Sequence, residues 1–175
     1  LRFDFSQPTA LTPEDIAAVE AEVNAEIRAN EQVVTRLMSP DDAIEAGAMA
    51  LFGEKYGEEV RVLSMGQATG GKSYSVELCG GTHVRALGDI GLFRIVSEGA
   101  VSSGVRRIEA LTGAAAVDFV ADEEARLDEI GDLLSTSGAD VVEKLRQMFD
   151  RQKKLERELE SFKAKAASSA TSDLA

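Results

Sequence analysis

Glycine is distributed so unevenly along this chain that its two parts demand different architectures. Ten of the fifteen glycines fall between residues 60 and 113, and only Gly131 and Gly138 follow. Glycine weakens helix interiors and serves turns, so the middle favours strands and the remainder can sustain long helices. Short alternating runs at 60–65, 73–78, 92–97 and 105–111 lie between those glycines. Alternation with period two, punctuated by turn residues, predicts an antiparallel sheet.

The segment before the sheet carries helix signals. Thr12 is placed to cap a helix, Pro13 suits its first position, and Glu14 and Asp15 favour the positive end of its dipole. Ile16, Val19, Val23 and Ile27 recur at helical spacing, and Asn30 is a suitable stop. Strands are expected at 1–5 and 32–38. Ser39-Pro40-Asp41-Asp42 repeats the cap-then-proline signal for a shorter helix ending near Gly47. Helices packed on an antiparallel sheet make an α+β domain over residues 1–113.

Residues 114–168 predict a helical hairpin or coiled-coil segment, broken at the STSGAD stretch, 135–140. Val141, Leu145, Met148, Leu155, Leu159, Phe162 and Ala166 follow a 4,3 spacing, with Gln152 at one seam position. That heptad pattern packs against another helix or pairs between chains, so a homodimer through the C-terminal helices is one expected partnership. The small, polar residues 169–175 are expected to be a disordered tail.

No run approaches the ~20 apolar residues needed to span a bilayer, and no membrane partner is expected. The chain opens at Leu1, with neither a basic nor an apolar leader, as a segment of a longer polypeptide would. One cysteine, Cys79, precludes an internal disulfide and fits a reducing, cytoplasmic setting. A net charge of -12 argues against a broad nucleic-acid face. Residues 60–113, however, hold six bases against four acids, so the acidic excess lies in the helical flanks. A pocket for an RNA end fits that middle region.

Cys79-Gly80-Gly81-Thr82-His83 is the most informative peptide. The chain's single cysteine and single histidine lie four residues apart. Thiolate and imidazole are preferred zinc ligands, the glycines allow a sharp turn between them, and the strand at 73–78 delivers Cys79 to a fixed position. Against this stands a buried free cysteine beside an ordinary hydrogen-bonded histidine. Zinc needs three or four protein ligands, and no other His or Cys exists here. Further along, a small-residue loop from Ser97 leads into a strand bearing Arg106 and Arg107. Neighbouring strand residues face opposite sides, so one guanidinium can address a phosphate while a surface ion pair explains either equally well. FGEKYG, 52–57, reads as a turn between helix and strand.

ALFGEKYGEEVRVLSMG (50–66), VELCGGTHV (76–84), GDIGLFRIVSEGAVSSGVRRIEALTG (88–113) and the opening LRFDF together resemble the editing domain of alanyl-tRNA synthetases. The motifs occur in the family's order and at about its spacing, and cover residues 1–113. The helical remainder corresponds by position and character. The resemblance implies hydrolysis of tRNA(Ala) mischarged with serine or glycine, with the tRNA 3′ end as partner. It implies zinc held by two histidines of an HxxxH helix and by the Cys and His of a CxxxH motif, which map to Cys79 and His83. Gly80, Gly81 and Thr82 would line the pocket, with Thr82 joining Cys79 and His83 in catalysis, and Arg106 or Arg107 would contact substrate. The HxxxH pair would precede Leu1. These residues alone are therefore expected to be inactive, and no ligase activity is expected from them. Two alternatives are a free-standing editing hydrolase with the same core and a non-catalytic dimerisation module built on 114–168.

Overall fold

The computed structural model describes residues 1–48, 57–67 and 73–172. It divides into two compact units, Leu1–Phe119 and Val120–Ala175. The α+β class is as expected. The single sheet is not: the first unit holds two separate three-stranded antiparallel sheets.

In one sheet β1 (Arg2–Ser6) and β5 (Phe93–Ser102) flank β6 (Val105–Thr112). In the other, β2 (Val34–Met38) and β4 (Ser73–Leu78) flank β3 (Val60–Gln67). The expected small-residue loop from Ser97 is largely strand, because β5 runs on to Ser102 with two register irregularities. Only Ser103 and Gly104 turn the hairpin, Gly104 at a φ of 70°.

Helix α1 (Pro13–Ala29) begins at Thr12 as its sequence dictates. The Thr12 hydroxyl accepts from the Asp15 N–H, and Asp15 accepts in return from the Thr12 N–H, forming a capping box. Asn30 ends the helix in the left-handed conformation, and its side chain accepts the Gly88 N–H at 2.9 Å. The buried face differs from the expected stripe: Val19 is exposed, whereas Glu20 is buried. The reason lies in β5, a sheet margin whose outer backbone groups would otherwise be orphaned in the core. Asn24 Oδ1 accepts the Phe93 N–H at 2.9 Å and Nδ2 donates to the Phe93 carbonyl at 2.9 Å. Glu20 accepts the Ile95 N–H and an Arg94 Nη1–H, both at 2.6 Å. The helix thus supplies the missing strand partner with side chains. Around these bonds Ile27, Phe93, Ile95 and Ala110 form one core, joined by Ile16, Val23, Ile90 and Ile108.

The second sheet packs on α2 (Pro40–Glu45), capped by the Ser39 hydroxyl. Its core is Ala43, Ala48, Val60 and Val62, with Met38, Val76 and Leu78 against them. The chain returns from this sheet past a 3₁₀ turn at Leu87–Ile90, anchored by Val33 N–H to the Arg85 carbonyl and Leu87 N–H to the Glu31 carbonyl, each 2.9 Å. Gly91, at a φ of 71°, must stay bare because a Cβ there would lie 2.9 Å from Gly113 Cα.

Helix α3 (Gly113–Leu134) follows β6 directly and ends in a paired-carbonyl cap. The Thr136 N–H reaches the Gly131 carbonyl at 2.9 Å and the Ser135 N–H the Asp132 carbonyl at 3.0 Å, with Ser135 left-handed at a φ of 52°. After the expected break, helix α4 runs Val141–Ser172, so the tail expected from 169 is helical as far as Ser172. Its alanines, good helix formers, extend the helix beyond the heptads. The FGEKYG turn, apart from Gly57, and residues 173–175 lie outside the described residues.

Candidate functional site

Strand β4 ends at Leu78, and one further rung follows: the Cys79 N–H donates to the Arg61 carbonyl at 3.1 Å. Val62 pairs with Leu78, so Arg61 stands opposite Cys79 in the continued register. Val62, Val76 and Leu78 turn to the core around α2. By strand alternation Arg61 and Cys79 share the other face. Beyond Cys79 the chain turns through the two glycines, and Arg61 Nη1 donates to the Gly81 carbonyl at 2.8 Å.

The turn brings thiol and imidazole together. A Cβ placed on Gly81 would lie 3.7 Å from Cys79 Sγ and 3.8 Å from His83 Cε1. Both groups therefore converge on the space in front of Gly81 rather than facing opposite sides of the sheet. Cys79 is a free, half-buried thiol. His83 Nδ1 is buried and has no hydrogen-bond partner among the described residues. A buried ring nitrogen left without a partner costs roughly 1–3 kcal/mol, so it calls for a metal ion or other partner. Gly80, Gly81 and Thr82 are exposed, leaving the loop open to a large ligand. Among the described residues no third Cys, His, Asp or Glu joins the pair in a metal-binding group.

Arg106 and Arg107 belong to the other sheet, and they face opposite sides of β6 with a carboxylate for each. Arg106 holds Glu98 through both its Nε and Nη2, the latter at 2.8 Å, with side chains 14% and 8% exposed. That grip keeps the Glu98 carboxyl below its ordinary range and raises Arg106. Arg107 holds Asp4 by two bonds of 2.6 and 2.8 Å in a more open setting, and lowers the Asp4 carboxyl likewise. No hydrogen bond or ion pair joins either arginine to the Cys79–His83 loop among the described residues. Sequence inspection did not single out Arg61. Its signal was its position: one residue before Val62 on the strand that pairs with β4, hence opposite the thiol.

A family profile described as "Threonyl and Alanyl tRNA synthetase second additional domain" matches residues 60–109, the span from β3 through the Cys79–His83 loop and into β6. The alanine–tRNA ligase of Rhizorhabdus wittichii is 65% identical over 165 residues, 93% of this chain. Those of Xanthomonas campestris pv. campestris and Xanthomonas euvesicatoria pv. vesicatoria are 59% and 60% identical over 174 residues, 99% of the chain. The chain corresponds to a segment of the alanyl-tRNA synthetases. It spans 19% of the length of each of these relatives.

Proposed function

We propose that this chain is the editing region of an alanyl-tRNA synthetase and takes part in hydrolysing the ester of tRNA(Ala) mischarged with serine or glycine. The supporting observations are that Cys79 Sγ and His83 Cε1 both lie within 4 Å of a Cβ placed on Gly81, and that the buried His83 Nδ1 has no partner among the described residues. The need for such a site is physical. A pocket built for alanine cannot strongly exclude the smaller glycine, or serine with its added hydroxyl, so a second site removes the error.

The donor set fits zinc, which thiolate and neutral imidazole prefer. Cys79 and His83 supply two ligands, and the HxxxH histidines implied by the resemblance would supply the others. With one histidine and one cysteine, the 175 residues alone hold half a zinc site, which accounts for the expected inactivity. When bound, the ion would supply positive charge that fixes the tRNA 3′ end and polarises the ester. The Gly80 and Gly81 N–H groups and the Thr82 hydroxyl are the chain's own donors toward an ester oxygen at this open turn. Water adds to the aminoacyl carbonyl, the bond to the ribose oxygen breaks, and that oxygen takes up a proton. Arg107 is the better placed of the two arginines to meet a phosphate, because its ion pair is the more exposed and exchanges more cheaply. The setting is cytoplasmic, and none of the described helices is long and apolar enough to cross a membrane.

Helix α4 supports the partnership expected of the heptads. Met148, Leu155, Leu159 and Phe162 are 50–68% exposed within this chain. In a parallel, in-register pair, Arg151 would face Glu156 and Glu158 would face Lys163 across the seam, with no like charges opposed. A second copy is thus the occupant that the charges suit.

The test of the editing assignment is deacylation of Ser-tRNA(Ala) by the full-length synthetase. Cys79→Ala should abolish most of the hydrolysis and leave alanine attachment intact; unchanged hydrolysis overturns the assignment. Sedimentation of this chain tests the pairing: Leu155→Asp should convert a dimer to a monomer.

A further inference from the structure

We propose that Arg61 is the positioning residue that holds Cys79 and His83 in convergence. Its function, though not its geometry, rests on the editing assignment above.

Arg61 grips the turn at two points. Its main-chain carbonyl accepts the Cys79 N–H at 3.1 Å, and its guanidinium donates to the Gly81 carbonyl at 2.8 Å. The first bond extends the β3–β4 ladder by a rung and would survive most substitutions. The second depends on the side chain and spans the turn at its middle residue. Gly80 and Gly81 give the segment unusual backbone freedom, and nothing else described bonds to the Gly81 carbonyl. Both glycines are exposed, so packing contributes little to holding them. Without the guanidinium, the peptide between Cys79 and His83 has a wide choice of conformations, few of which place Sγ and the imidazole on the same space. A charged donor on a neutral carbonyl makes one of the stronger hydrogen bonds. It also brings a positive group to the turn without touching the reacting ester, which separates this role from catalysis.

The chain contains one thiol and one imidazole, so both ends of the convergence can be followed directly. The experiment measures alkylation of Cys79 by N-ethylmaleimide at fixed pH, together with the His83 Cε1–H resonance, in the full 175-residue chain. Arg61→Met keeps the aliphatic stem but removes the donor. Arg61→Lys keeps a charged donor. Loss of one charge-assisted bond should raise the open fraction, and with it the alkylation rate, roughly tenfold in Arg61→Met, while Arg61→Lys stays within about twofold of the parent. The His83 resonance should shift or broaden in the first variant and recover in the second. Parent-like alkylation in Arg61→Met with an unchanged far-ultraviolet spectrum overturns the proposal. Equal acceleration in both variants also overturns it, because packing rather than the donor would then be responsible. If Arg61→Met fails to fold, Arg61→Gln, whose shorter amide falls short of the Gly81 carbonyl, takes its place under the same criteria. The two assignments fail separately. Intact deacylation in Cys79→Ala would remove the editing function and leave the alkylation result standing. A parent-like thiol in Arg61→Met would remove the role of Arg61 and leave the metal pair standing.

Discussion

Replacing Asn24 with alanine tests how the first sheet is tied to its helix. The side chain makes three bonds: two with the main chain of Phe93, at 2.9 Å each, and one to the Glu20 carbonyl at 2.8 Å. Phe93 is only 6% exposed, so truncation strands both its N–H and its C=O away from solvent. Each stranded group costs about 1–3 kcal/mol, and the loss should total roughly 2–4 kcal/mol once partial relaxation is allowed. That is a large share of the ~5–15 kcal/mol that holds a typical domain together. At about 3–4 °C per kcal/mol for a unit of this size, the melting temperature should fall by roughly 6–15 °C. Urea titration followed by circular dichroism measures the first figure. Hydrogen exchange at the Phe93 amide locates it, since that N–H should lose its protection before its neighbours on β6. Asn24→Asp keeps the acceptor but loses both donated bonds and sets a carboxylate against the Phe93 and Glu20 carbonyls, so it should cost at least as much. A loss below ~1 kcal/mol with the Phe93 amide still protected would refute the reasoning, because it would mean that a water fills the gap without penalty.

Other consequences are equally measurable. Ser135→Gly should stabilise the chain by about 0.5–1 kcal/mol in thermal melts, because the cap of α3 holds Ser135 left-handed, where a side chain is penalised. Gly131→Ala should destabilise despite alanine's helix propensity, since a Cβ there would sit 2.9 Å from the Thr136 carbonyl oxygen. The Tyr74 phenol donates to Glu22, and this bond, with burial and nearby acidic charge, pushes its pKa up to about 12. Its share of stability is therefore present below pH 10 and lost as pH rises through 12; ultraviolet titration of Glu22→Gln should bring the Tyr74 midpoint down. Glu98 is held low by Arg106, so its stabilisation is present above the ordinary carboxylate range and disappears as pH falls through its depressed pKa. Glu98→Gln should flatten the acid limb of a stability–pH curve and leave the alkaline limb alone.

Local chemistry was legible from the chain, and remote pairing was not. Thr12-Pro13 and Ser39-Pro40 announced two helix starts, and Ser73–Leu78 was bounded correctly by its own alternation. The existence of two sheets escaped notice because β1 pairs with β6 across about a hundred residues, and alternation carries no address for a partner. The face of α1 was misjudged at Val19 for a related reason. Counting apolar residues finds a greasy stripe, but Glu20 and Asn24 are buried for their hydrogen bonds to β5. The Cys79–His83 pair was visible because each residue is the only one of its kind and they lie four residues apart. Arg61 was not, because its link to Gly81 spans 20 residues and arises only once β3 and β4 are in register.

The Phe93–Ile95 end of the outer margin of β5 is occupied by carboxylate and amide groups from α1 that imitate a neighbouring strand. An incoming peptide would have to displace Glu20 and Asn24 before it found a free rung at Phe93 or Ile95. Stacking of one molecule on the next through this sheet would need those two rungs, which the helix already fills. At that end of β5 the helix acts as a guard against edge-to-edge pairing.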